Sequence, residues 1–377
     1  MNKCILIPDS FKGTMSSSEI CAMMKDAIHT YYPQADVVSI PVADGGEGTV
    51  DSFLEALGGE KITLEVTGPH FEKIDSFYGI LPDGTAVVEM AAAAGLPQVG
   101  DYLHPEKATT FGVGELILDA AKRGCRKIVV GLGGSATNDG ATGAAAAVGV
   151  TFTDADGKRF VPQGETLDRI VSIDTSTKDK ALDGVEIITM CDIDNPLCGP
   201  HGAAHVFGPQ KGADEKMVEY LDAQLGKMSD AVKKNLSIDI SELPGSGAAG
   251  GMGGGMVAFF GAALEMGIEV VLDTVRFDEQ CEDTDMVFTG EGKIDFQSLR
   301  GKVVIGIARR TKKKNVPLVA IVGDIGDNLE AAYDEGVSAI FSINRVAQDF
   351  KVLKKRAKSD MVLTMDNLIR FVKRLGY

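Results

Sequence analysis

The chain has no tryptophan, only 6% aromatic residues, five histidines and a deficit of positive charge. His29, His70, His104, His201 and His205 share no spacing that would assemble a metal cluster or a catalytic dyad, so histidine chemistry is not indicated. Lys plus Arg number 38 against 54 Asp plus Glu, a net charge of −16 that repels nucleic-acid phosphates and anionic membrane surfaces. Any anionic ligand must therefore be held by local donors. The six cysteines include no C-x-x-C pair, which argues against a zinc site or a disulfide framework and points to the reducing cytoplasm. Long hydrophobic runs are scarce. The N-terminal apolar run meets Asp9 within a few residues and reads as a first strand rather than a signal peptide. Gly247 to Leu264 is uncharged, but its glycines lower its apolarity and Glu265 and Glu269 follow it, so buried packing is expected there and no membrane span. A Walker A sequence is missing as well.

What is present is a two-domain length and an excess of glycine. At 377 residues the chain is too long for one domain of roughly 150 residues. Hydrophobic residues at 44% and charged residues at 24% are the composition of a globular protein. Short apolar runs repeatedly give way to Gly, Ser, Thr or Asp loops and then to helix-period segments, the pattern of α/β layering on a parallel sheet. Cys4 to Ile7 is the first such strand, and Ser16-x-x-Glu19 is a capping box opening a helix with Ile20, Met24, Ala27 and Ile28 on one face. The middle reads differently, with β-like alternation from Thr67 to Val88 and a hairpin-like stretch around Asp154 to Gly157. The expected fold class is α/β: a doubly wound, Rossmann-like parallel-sheet domain of residues 1–66 plus 285–377. A second, mixed α/β domain of residues 67–284, carrying the Gly-rich loop, is inserted in it.

Gly131 to Gly140 follows the strand Lys127 to Val130 and places small residues, Ser135, Thr137 and Asn138 where a phosphate can approach backbone amides. Gly131, Gly133 and Ala136 also satisfy a dinucleotide pattern formally, but Thr137 to Gly140 stacks turn formers where the helix should begin. Acids gather in the other loops: Asp9 near Lys12, Asp44 and Glu47 among glycines, Asp192 and Asp194 after a strand, Glu291 and Asp295 around Lys293. Phosphate loops, lysines and acids together are what phosphoryl transfer requires.

Several of these segments, taken in order, resemble the bacterial glycerate kinases that begin with an Asp-Ser-Phe-Lys-Gly motif. Here the motif is Asp9 to Gly13, followed by Pro41 to Thr49, Gly131 to Gly140, Cys191 to Pro200, Val206 to Gly212, Pro244 to Gly255 and Gly290 to Lys302. Ala141 stands where such sequences commonly carry a further glycine. The resemblance implies ATP and Mg²⁺ as cofactors and phosphorylation of D-glycerate, usually to 2-phosphoglycerate, in a cleft between two α/β domains. A kinase of another small hydroxy acid, a glycerate 3-kinase and a non-catalytic nucleotide sensor are the alternatives.

On that reading Gly133, Gly134, Ser135, Thr137 and Asn138 cradle the nucleotide phosphates, with Glu291 and Lys302 also on the cofactor side. Lys211 and Lys302 neutralise the transferred group. Asp192 is base or magnesium ligand, Asn195 beside it binds a substrate hydroxyl or the metal, and Asp44 with Glu47 is the alternative metal pair. Asp9, Ser10 and Lys12 grip the glycerate, since a small anion in an acidic protein needs a dedicated cation. The partner is a small molecule, not nucleic acid or membrane, and a homodimer is the candidate assembly.

Overall fold

The computed structural model describes residues 1–43, 45–295 and 298–376. Strands β1 (Lys3–Pro8), β2 (Asp36–Ser39), β3 (Glu60–Thr67), β4 (Lys73–Ile80), β5 (Ala86–Glu89) and β6 (Lys127–Gly131) occupy the first part of the chain. They are followed by β7 (Thr151–Thr153), β8 (Arg159–Phe160), β9 (Ser172–Asp174), β10 (Glu186–Met190) and β11 (Ala263–Glu265), then by β12 (Met286–Ile294), β13 (Leu318–Ile325) and β14 (Val337–Ser342). The chain divides into two compact units, Met1–Ala43 with Ile268–Tyr377, and Asp44–Gly267.

The discontinuous unit is built on one sheet in the order β14-β13-β12-β1-β2, with every neighbouring pair parallel. A parallel sheet covered on both faces needs strands that are apolar throughout, and Cys4 to Pro8 is buried at every position. Helix Ser17–Tyr31 starts at the expected capping box and buries Ile20, Met24, Ala27 and Ile28. That face joins Leu6, Phe288 and Ile321 of the sheet and Met361, Met365 and Ile369 of helix Phe350–Arg374 in one core. From β1 the chain moves outward to β2, and from β12 it moves outward through β13 to β14 on the other side. The winding therefore reverses between β1 and β12, and such a reversal leaves a crevice beyond the carboxyl ends of the two strands.

The continuous unit carries a mixed sheet in the order β11-β10-β6-β5-β4-β3, in which β3–β4 and β4–β5 are antiparallel and the remaining pairs parallel. A small antiparallel sheet, β8-β7-β9, contains the expected hairpin, closed by the Gly157 amide donating to the Asp154 carbonyl at 3.0 Å. Helix Thr49–Leu57 and β3 fall in this unit, whereas the sequence division grouped them with the chain ends. β3 pairs with β4 along its whole length, from Glu60 opposite Ile80 to Thr67 opposite Lys73, which fixes its place in this sheet. Residues 268–284 lie in the discontinuous unit. The Gly-rich stretch after Gly247 is no continuous helix: Ala249, Gly250 and Gly251 have left-handed backbone, turning the chain against the Gly131–Gly140 loop. No helix among the described residues is long and apolar enough to cross a membrane.

Candidate active site

In the continuous unit, β6 delivers the chain into the Gly131–Gly140 loop, which runs against the segment Gly45-Gly46-Glu47. A Cβ on Gly131 would stand 2.3 Å from the Gly45 carbonyl oxygen, and one on Gly133 would stand 2.5 Å from the Gly46 Cα. Only glycine permits that approach, and it lets the Gly133 amide donate to the Gly45 carbonyl at 2.9 Å. A Cβ on Gly134 would lie 3.6 Å from the exposed Glu47 Oε1, so this carboxylate stands beside the loop. The Gly247–Gly255 turn closes on the loop's other end, where the Gly140 amide donates to the Gly250 carbonyl.

Beneath this loop lies Lys211, only 1% exposed. Its Nζ donates to Ser135 Oγ and to the Thr137 carbonyl, each at 2.7 Å. Burial pushes the ammonium down to about 7, with buried Asp139 nearby opposing the shift. Asp139 is itself raised by burial, and its Oδ2 accepts from the Thr110 amide at 2.7 Å, the Thr110 hydroxyl at 2.9 Å and the Gly143 amide at 3.3 Å. Among the described residues, Thr137 Oγ1 and both polar atoms of the Asn138 side chain are buried without a hydrogen-bond partner. Unpartnered buried groups of this kind cost about 1–3 kcal/mol each and call for an explanation, such as a ligand that completes them.

Asp192, which follows β10, is exposed, and its Oδ1 accepts from the Gly267 amide at 2.7 Å. Asn195 Nδ2 donates to the His201 carbonyl at 2.8 Å within its own loop. Asp44 lies outside the described residues.

In the discontinuous unit the crevice between β1 and β12 collects the rest. The Asp9 amide donates to the Gly290 carbonyl at 2.8 Å, extending the β1–β12 pairing, and Asp9 Oδ1 accepts from the Ser10 amide at 2.6 Å. The chain then folds back tightly, Phe11 N–H to Met15 carbonyl at 2.9 Å, leaving Lys12 exposed. Within β12, just past its last residue paired with β1, Glu291 is 7% exposed and its Oε1 has no partner among the described residues. Burial pushes its carboxyl up to about 7; a hydrogen bond from Ser298 and the charge of Lys302 oppose this, while Asp9 and Asp295 add to it. Lys302, exposed, is the N-cap residue of helix Val303–Lys314.

The structure thus brings Lys211 together with Ser135 and Thr137, sets Glu47 beside Gly134, and gathers Asp9, Lys302 and Glu291. Two contributors escaped the sequence reading. Asp139 organises the loop's far end, and Glu89, 2% exposed, accepts from the Val50 amide at 2.6 Å at the start of the helix that follows Glu47. A lone acid in the apolar run Ala86 to Met90 was the available signal for Glu89.

A model of the glycerate kinase family matches residues 4–373. The chain belongs to the glycerate kinase family. It is 43% identical over 368 residues to the glycerate kinase of Bacillus cereus, covering 97% of each chain. It is also 43% identical over 343 residues to the glycerate 2-kinase of Escherichia coli, covering 90% of each. A crystal structure of a glycerate kinase 2 from Salmonella typhimurium LT2 superposes with a TM-score of 0.87 at 40% identity, covering 99% of this chain and 98% of that one. Family membership agrees with the resemblance seen in the Asp9 to Lys302 motifs and with the doubly wound and mixed sheets.

Proposed function

We propose that this protein is a cytoplasmic glycerate kinase that transfers the terminal phosphoryl group of ATP to the 2-hydroxyl of D-glycerate. The observation that carries this reading is the family match along nearly the whole chain, residues 4–373. Identity of 43% to a glycerate 2-kinase supports the 2-hydroxyl as acceptor. The Gly133–Asn138 loop takes the nucleotide phosphates: its glycines permit close approach, and the Thr137 hydroxyl and the Asn138 amide nitrogen, unpartnered among the described residues, are donors in want of an acceptor. Lys211 acts through the loop it holds. Asp9, Ser10 and Lys12 bind the glycerate, with the exposed Lys12 ammonium supplying charge for the carboxylate.

Among the described residues no group of three or more His, Cys, Asp or Glu is placed to hold a metal ion by itself. Mg²⁺ delivered on a nucleotide needs only one or two protein carboxylates besides phosphate oxygens, and the exposed carboxylates of Glu47, beside Gly134, and Asp192 suit that role, with Asp44 as a further candidate. Bound there, Mg²⁺ would neutralise charge on the transferring phosphate.

The test is an ATP and Mg²⁺ assay against D-glycerate, L-glycerate, lactate, tartronate and glycerol, following ADP and identifying the product by phosphorus NMR. Selective D-glycerate turnover with phosphorus on O2 is expected. Turnover of a different acid alone, or phosphorus on O3, would overturn the substrate or the site of transfer.

A further inference from the structure

Phosphoryl transfer to an alcohol needs a group to receive the hydroxyl proton, and that group must be ionised, near the acceptor and not already saturated with donors. We propose that Glu291 is this base. The inference rests on the glycerate kinase reading and deepens it, moving Glu291 away from the nucleotide-contact role that the motif alone suggested, since a carboxylate repels a polyphosphate.

Three observations support it. Glu291 directly follows Gly290, the last residue of β12 that pairs with β1, where the winding of the parallel sheet reverses, the place where open α/β sheets bind ligands, and Asp9, Ser10 and Lys12 follow β1 at the same point. Its side chain is buried, yet Oε1 has no partner among the described residues. A carboxylate buried for structural reasons is normally supplied with donors, as Glu89 is in this molecule by the amides of Val50 and Gly48. The groups facing Glu291 also tune it. Asp9 and Asp295 disfavour its charge, while Lys302 and the Ser298 hydroxyl favour it, and burial is the largest influence, holding the carboxyl at about 7. A base with that affinity is ionised in an appreciable fraction at neutral pH and still takes up a proton readily.

The step balances. The acceptor hydroxyl gives its proton to Oε1 as its oxygen bonds to the terminal phosphorus. The bond from that phosphorus to the bridging oxygen breaks, ADP leaves with the bonding pair, and the proton passes from Glu291 to solvent afterwards.

The experiment compares kcat, KM and pH profiles of the wild type, Glu291→Gln and Glu291→Asp with D-glycerate and ATP, with thermal unfolding as a check on folding. In the wild type kcat should rise with pH through about 7. Glu291→Gln should lower kcat by about 10²–10⁴-fold, leave both KM values within about threefold and abolish the acidic limb. Glu291→Asp should restore part of the rate together with the limb, and it carries the comparison by itself if the Gln variant does not fold. A Gln variant with wild-type kcat and an unchanged limb overturns the assignment. A wild type that turns over none of the hydroxy acids overturns the functional reading instead, so the two failures are distinct.

Discussion

Lys211 Nζ and the Thr137 carbonyl oxygen stand 2.7 Å apart with neither residue open to solvent. A residue from the short turn Pro209–Lys211 thus clamps the loop that follows β6, and the same ammonium reaches Ser135. The clamp explains how a loop rich in glycine keeps one shape.

Replacing Lys211 by methionine keeps the apolar stem and deletes the donor. The Thr137 carbonyl and Ser135 hydroxyl lose their partner, at about 1–3 kcal/mol for a buried group. Unfolding should therefore come at a lower temperature, and KM for ATP should rise. The pH dependence has a definite sign. The folded-state pKa, about 7, lies below the unfolded value near 10.5, so between them the unfolded chain binds more protons and stability rises with pH. Denaturant unfolding at pH 7 and pH 9 should show the wild type gaining relative to Lys211→Met; parallel behaviour would mean that the ammonium is not held as described.

Glu89 tests a second support. Its Oε1 holds the Val50 amide at 2.6 Å in the first turn of helix Thr49–Leu57, directly after Glu47. Glu89→Ala leaves that amide unpaired and should cost about 1–3 kcal/mol, whereas Glu89→Gln keeps an acceptor and should cost less. Burial raises the Glu89 carboxyl above its usual range. Its contribution is thus fully present below the unfolded pKa and is lost as pH rises through the folded one. The advantage of the wild type over Glu89→Gln in chemical denaturation should shrink as pH rises from about 4.5, the unfolded value. An advantage that grows instead would reverse the assigned cause.

Much of this architecture was legible in the chain. The apolar run Cys4 to Ile7 marked a buried parallel strand, the Ser16 and Glu19 pair marked a helix start, and the Asp154 to Gly157 turn marked a hairpin, because each is decided within a few residues. The motifs also carried the family. The placement of β3 was not legible, since it depends on pairing with β4, and sequence alternation shows which face is buried without showing the partner. Asp139 read as one more turn former because its three donors come from Thr110 and Gly143, separated from it in the chain or hidden by the turn. Burial likewise distinguishes Glu291 from the exposed acids Glu47 and Asp192, and burial is a property of the assembled sheet.

Ala141 has φ of 63° and ψ of 11°, a left-handed conformation that costs an L side chain roughly 1–2 kcal/mol. It caps helix Thr142–Ala147 immediately after the Gly-rich loop. Ala141→Gly removes that strain, but glycine also loses more backbone freedom on folding, roughly 0.5–1 kcal/mol. The variant should be more stable by a fraction of a kcal/mol, read as a small rise in the calorimetric midpoint with activity retained. A clear fall in the midpoint would show that the alanine methyl contributes more packing than its backbone strain costs.

Two further glycines should respond in opposite directions to the same change. Gly226 lies within helix Glu215–Leu236, and a Cβ there would meet only Cys198 Sγ, at 3.9 Å. Gly226→Ala should stabilise by about 0.5–1 kcal/mol, since alanine is the better helix former and nothing must move. At Gly131 the same methyl would sit 2.3 Å from the Gly45 carbonyl oxygen, and backbone atoms on both sides leave no flexible side chain to yield. Gly131→Ala should cost about 1–3 kcal/mol and lower kcat/KM for ATP, because the Gly45–Glu47 segment must shift away from the Gly131–Gly140 loop. Urea unfolding of the two variants with steady-state kinetics decides the matter. If Gly131→Ala matched the wild type in both, the two glycine segments would not pack against each other, and the position of Glu47 beside Gly134 would lose its support.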